Sequence, residues 1–184
     1  MNKPKKRIKY GKAKLAADEL KKALSPGCHR IEIAGSVRRL QKTCGDVELV
    51  CIPRYDTDMF GIEDEFLPTK LDHVLFGMRQ NAQLLSHPFK DGGKFKQFHV
   101  KKYNINLDLF ITNRACWGVI FALRTGSAEY SQRIVTARTA GGLLPDKYHV
   151  YMGRVWRYNR TLNTPEEIDF LQIAGGWVPP ERRV

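Results

Sequence analysis

The sequence predicts an α+β fold: a sheet of short strands with amphipathic helices laid over it, giving way after residue 113 to a smaller α/β subdomain. Three observations predict it. Residues 30–34, 46–50 and 105–111 alternate apolar and polar side chains at the period of a half-buried strand. Residues 13–24 and 71–85 carry apolar side chains at helical spacing. From Ala115 the pattern turns helical, then reads as a hairpin and a last capped helix.

Each element has a local reason. The helix over 13–24 stops at Ser25-Pro26-Gly27. The next strand places Ile31 and Ile33 on one face, Gly35 lets the backbone turn where a side chain would obstruct it, and Ser36 is placed to cap a helical turn. Asp46 and Glu48 are two apart in D-V-E-L-V, so both carboxylates project from one face while Val47, Leu49 and Cys51 pack beneath. Residues 54–69, with Asp56, Asp58, Glu63, Asp64 and Glu65, read as a solvated connector. The stripe of Leu71, Val74, Leu75, Met78, Leu84 and Leu85 makes 71–85 a core-covering helix. After Asp91-Gly92-Gly93, residues 94–103 pair as a hairpin with 104–111, where Asn106, Asp108 and Phe110 alternate with Ile105, Leu107, Leu109 and Ile111. Neighbouring strands lie ~4.8 Å apart, so this brings Asp108 beside the first two acids. The helix through Trp117, Val119, Ile120 and Leu123 is interrupted by Thr125-Gly126-Ser127, a turn that by itself reads as ordinary helix capping. A second helix runs over 128–140 to Gly141-Gly142, a hairpin over 148–159 turns at Gly153, and Thr164-Pro165-Glu166-Glu167 is a capping box for a helix ended by Gly175-Gly176.

At 184 residues the chain can bury one sizeable core or form two small lobes. Its 31 Lys and Arg against 19 Asp and Glu, a net charge of +12, favour a polyanionic partner. Lys3, Lys5, Lys6, Arg7, Lys9, Lys12 and Lys14 form a run without an acid, equally an arm that neutralises phosphates and a solubilising tail. No apolar segment is long enough for a signal peptide or a membrane span, so an intracellular, cytoplasmic protein is expected, in a cellular or viral setting. Cys28, Cys44, Cys51 and Cys116 lack C-x-x-C or zinc spacing and read as reduced and structural, and His29, His73, His87, His99 and His149 are scattered.

The chemistry concentrates in Gly35-Ser36-Val37-Arg38-Arg39 and Gly45-Asp46-Val47-Glu48, a phosphate-cradling turn joined to a carboxylate pair. Backbone N–H groups with Arg38 and Arg39 suit a triphosphate, and one divalent metal can bridge the two acids. Either half alone is commonplace, since an acidic pair on a strand is more often a solvated face. Their order and spacing, followed by Asp108, point to phosphoryl chemistry on a nucleotide.

With these residues in this order the chain resembles the nucleotidyltransferases of the DNA polymerase beta fold, and specifically the DNA polymerase X family. That family's pattern is G-S-x-R-R, G-D-x-D, a third Asp on a later strand, and T-G-S, here Thr125-Gly126-Ser127. The resemblance extends from about Lys12 through the tail at Trp177-Val178-Pro179-Pro180-Glu181-Arg182. It implies a basic flexible arm over 1–12, a polymerase beta-like palm over 13–113 with a mixed sheet and helices on one face, and a C-terminal nucleotide- and DNA-binding subdomain over 114–184. It implies a metal-dependent DNA polymerase, a monomer without membrane attachment, that adds dNMP from dNTP to the 3′-hydroxyl of primer/template or gapped DNA. Asp46 and Glu48 would bridge two divalent ions and Asp108 would hold the one at the attacking hydroxyl, with Mg²⁺ as cofactor and Mn²⁺ as substitute. Asp108 would also accept the proton, Gly35, Ser36, Arg39 and Gly45 would bind the triphosphate, and Thr125, Gly126 and Ser127 would lie beside the nucleotide sugar.

Three departures qualify the match. Glu48 stands where the family has Asp, and Leu123-Arg124 stands where many members have an aromatic pair that disfavours ribonucleotides. Only about a dozen residues precede the palm, so the family's N-terminal lyase activity is not expected. Two other classes share parts of the pattern: template-independent nucleotidyltransferases, or ones that modify RNA, proteins or small molecules, and non-catalytic DNA-binding proteins, for which the charge alone suffices.

Overall fold

The structure, a computed structural model, describes residues 7–57, 60–63, 69–80 and 84–184. Contacts divide the chain into two units, the first ending at Val37 and resuming over Gln41–Ile111, the second made of Arg38–Leu40 and Thr112–Val184.

The first unit opens with β1 (Ile8–Lys9) and α1 (Tyr10–Leu24), followed by β2 (Cys28–Ile33), α2 (Gly35–Arg38), β3 (Thr43–Cys44) and β4 (Asp46–Pro53). It continues through α3 (Lys70–Gln80), β5 (Lys90–Asp91), β6 (Phe95–Val100) and β7 (Ile105–Ile111). Five strands form a mixed sheet in the order β2-β4-β7-β6-β5, in which only the β4–β7 pair is parallel. Period-2 alternation sends Val47, Leu49 and Cys51 with Leu107 and Leu109 into one core. On that face lie Ala13, Ala16, Ala17, Leu20 and Leu24 of α1 and Leu71, Leu75 and Met78 of α3, all buried. Burying each leucine fully contributes about 1.5–3 kcal/mol, so this one-sided packing fixes which face of β4 and β7 carries the acids.

Several boundaries differ from the sequence reading. The arm expected over 1–12 is structured where it is described: Ile8–Lys9 pairs with Thr43–Cys44 and α1 starts at Tyr10. Residues 1–6, with Lys3, Lys5 and Lys6, lie outside the described residues. The helix expected over 71–85 ends at Gln80, and Leu85 forms a β-bridge with Val100 instead. Of the acidic connector, Asp56 pairs with His73 and Glu63 with His29, each at 2.8 Å. Asp58, Asp64 and Glu65 lie outside the described residues.

The second unit contains α4 (Trp117–Thr125), α5 (Ala128–Val135), β8 (Tyr148–Tyr151), β9 (Arg154–Arg157), β10 (Arg160–Leu162) and α6 (Glu167–Ile173). Its strands form an antiparallel sheet in the order β10-β9-β8. Val119, Ala122, Tyr130, Ile134, Leu144, Val155, Phe170 and Leu171 make a separate core. Gly118 permits the approach of α4 to the segment before α6, since a Cβ there would fall 2.1 Å from the Glu166 carbonyl oxygen. The predicted hairpin turns at Met152 and Gly153, both with positive φ (51° and 76°), the requirement of a type I′ turn. β10 was not anticipated. The helix expected over 128–140 breaks at Thr136, whose backbone is extended (ψ 137°) and whose Oγ1 bonds the Gln132 carbonyl. The capping box is real but lies two residues later: Glu166 is the N-cap and Asp169 its partner, while Thr164 is buried and ties its N–H to Ala115.

Candidate active site

In the first unit, β4 and β7 run parallel with Asp46 opposite Asn106 and Glu48 opposite Asp108. Residues paired across strands share a face, so the three carboxylates lie on the face opposite the helices. β6 adds Gln97 opposite Asp108 and His99 opposite Asn106. The Gln97 amide donates to Asp108 Oδ1 at 2.7 Å, and Asp108 is 9% exposed. His99 Nδ1 lies 3.0 Å from Asn106 Oδ1. Beyond them Phe95 and Phe110 stack with ring centroids 4.9 Å apart.

The G-S turn meets this face at its edge. Gly35 has φ +58°, and a Cβ there would sit 1.6 Å from Glu48 Oε2. The Ala34 N–H donates to the Glu48 carbonyl at 2.8 Å, which fixes this approach. The Ser36 hydroxyl does not cap the turn as expected: α2 already begins at Gly35, so Ser36 is inside it, and its buried Oγ has no hydrogen-bond partner among the described residues. α2 has four residues, too few for an appreciable macrodipole. Gly45 forms the bend between β3 and β4.

The acids share a face but do not converge on a point. Glu48 turns toward Gly35 and Asp108 toward Gln97, and among the described residues no three His, Cys, Asp or Glu side chains are gathered as a metal-binding group. As a donor set, three carboxylates on adjacent positions of one face fit a hard divalent cation, with backbone spacings of ~4.8 Å across the strands and ~6.7 Å along one.

The remaining candidate residues belong to the second unit. Arg39 Nη1 donates to the Thr125 and Gly126 carbonyls, at 2.5 and 2.8 Å. Ser127 is the N-cap of α5, its hydroxyl accepting from the Tyr130 N–H at 3.1 Å. At Gly126 a Cβ would lie 2.6 Å from the Tyr130 ring. Thr125 is buried, and its Oγ1 accepts from Arg38 at 2.6 Å.

Arg38 also grips the Glu167 carboxylate with both Nη atoms, at 2.6 and 2.7 Å, and lies 4.0 Å over the Phe121 ring. Arg183, fully buried, donates to the same carboxylate at Oε1. Burial pushes the Glu167 carboxyl up, but Arg38 and Arg183 outweigh it and hold the group below the usual carboxylate range.

Sequence reasoning missed Gln97, Glu167 and Arg183. Gln97 was within reach, because counting back along the 94–103 hairpin sets it opposite Asp108. Glu167 and Arg183 meet only through tertiary packing and left no periodic signal. Among the described residues no helix is long and apolar enough to cross a membrane. Compared with known proteins, the chain matches no family model and no curated protein.

Proposed function

We propose that the chain is a metal-dependent DNA polymerase of the DNA polymerase X type, adding dNMP from dNTP to a primer 3′-hydroxyl in short gaps or at ends. The observation that supports this most is the register that sets Glu48 opposite Asp108, with Asp46 two residues along the same face and the Gly35 turn against Glu48. The net charge of +12 suits a DNA substrate.

Asp46, Glu48 and Asp108 would hold Mg²⁺ or Mn²⁺, which when bound neutralises triphosphate charge and lowers the pKa of the hydroxyl. Asp108, its rotation set by Gln97, takes the proton of the primer hydroxyl as general base. Ser36 supplies a hydroxyl donor that has no partner among the described residues, and Gly35 lets the backbone approach a phosphate oxygen. The family resemblance assigns Gly45 to the triphosphate in the first unit; in the second unit it assigns Arg39 to the triphosphate and Thr125, Gly126 and Ser127 to the nucleotide sugar.

The test is extension of a 5′-labelled DNA primer, alone, on an open template and across a one-nucleotide gap, with each dNTP or rNTP singly, in Mg²⁺ or Mn²⁺. Template-matched addition that falls on the order of 10²-fold or more in Asp108→Ala is the expected result. Addition without a template makes the protein a terminal transferase. No addition under any condition overturns the polymerase reading and leaves another acceptor or a DNA-binding role.

A further inference from the structure

The three-stranded sheet of the second unit has two faces. Tyr148, Val150, Val155 and Leu162 pack on the core. Alternation therefore turns His149, Tyr151, Arg154, Trp156 and Thr161 to the other side. There His149 stands opposite Trp156 and Tyr151 opposite Arg154. The His149 and Trp156 rings lie nearly parallel, 11° apart with centroids at 6.1 Å, and Tyr151 is 60% exposed. The indole N–H of Trp156 is buried and meets no acceptor among the described residues. Arg154 shares this face with the rings, whereas Arg157 and Arg160 pair with each other and Arg157 with Tyr148, which sets them on the other side; no Asp or Glu occurs between Asp146 and Glu166.

We propose that this aromatic sheet face binds single-stranded nucleic acid, with unpaired bases stacking on the His149–Trp156 pair and Tyr151 and with a phosphate neutralised by Arg154. Flat rings beside a guanidinium, on strands free of acids, match the chemistry of such a strand. A paired duplex keeps its bases stacked internally and has none to offer these rings. The inference shares with the polymerase reading only the class of partner, and it does not need the carboxylates of the first unit.

The test is fluorescence anisotropy of the full chain with fluorescein-labelled oligothymidylate and with the same strand annealed to its complement, alongside quenching of tryptophan emission. Wild type should bind the single strand with quenching that disappears in Trp156→Phe, a variant that keeps an aromatic ring. Tyr151→Ala, at an exposed position, should weaken single-strand binding roughly 5- to 100-fold, the worth of one base stack, and leave duplex binding within about twofold. Asp46→Ala should abolish nucleotide addition and leave these affinities unchanged, which separates failure of this inference from failure of the polymerase reading. Equal losses for single strand and duplex, quenching that survives Trp156→Phe, or unchanged single-strand binding in Tyr151→Ala would each overturn the proposal.

Discussion

Gly35 and Glu48 set a constraint on each other that neither shows alone. A left-handed backbone at 35 costs a non-glycine residue roughly 1–2 kcal/mol, and an added Cβ would collide with the Glu48 carboxylate. Gly35→Ala is therefore expected to lower stability by more than the ~1–2 kcal/mol of the backbone term, because it also displaces Glu48, and to impair the proposed nucleotide addition. Combining it with Glu48→Ala separates the two effects in a double-mutant cycle read by denaturant unfolding. Part of the Gly35→Ala penalty should vanish when the carboxylate is gone, and a strictly additive result would mean that the backbone alone carries the cost. The glycine and the acids were legible in the sequence because each follows a local rule, φ freedom in one case and alternation in the other. The contact between Gly35 and Glu48 was not, because it depends on how β2 and β4 pair.

Elements were legible where one face is buried and blurred where a side chain competes for the backbone. Alternation over 105–111 gave β7 and the side of Asp108 correctly, since a one-residue slip would turn the acid into the helix-covered core and four apolar residues out of it. By contrast, Thr136 ends α5 early by bonding back to Gln132, and Asp169 rather than Glu167 closes the last capping box. At Thr125-Gly126-Ser127 the cap is geometrically real, whereas the nucleotide role is proposed, and one substitution tells them apart. Ser127→Asp preserves a good N-cap, so the Tm should stay close to wild type, while Ser127→Ala costs about 1 kcal/mol. If the turn also contacts the nucleotide, the added negative charge raises KM for dNTP by about tenfold or more, a like-charge penalty near 1.4 kcal/mol. Steady-state extension kinetics read this out, and an unchanged KM would reduce Ser127 to a helix cap.

For the whole molecule, the chain path matters as much as the sheet. It leaves the first unit after Val37, gives Arg38–Leu40 to the second, and returns at Gln41. The second unit therefore includes a residue more than seventy positions away in sequence from the rest of it, and Arg38 spends that reach on Glu167. With Arg183 fully buried on the same carboxylate, removing the negative charge strands two guanidinium groups, and breaking such a network costs roughly 3–5 kcal/mol. The sign of its pH dependence follows from the lowered pKa of Glu167. The stabilisation is fully present above the ordinary carboxylate value of about 4.3, and it is lost as pH falls through the lower folded-state value. All three tryptophans, Trp117, Trp156 and Trp177, belong to the second unit, so tryptophan emission during urea unfolding follows that unit. Glu167→Gln should lower its midpoint at pH 7 and flatten the dependence between about pH 4.3 and the acid limit. A variant whose midpoint falls with pH as steeply as wild type would mean that Glu167 is not the group whose protonation loosens this unit.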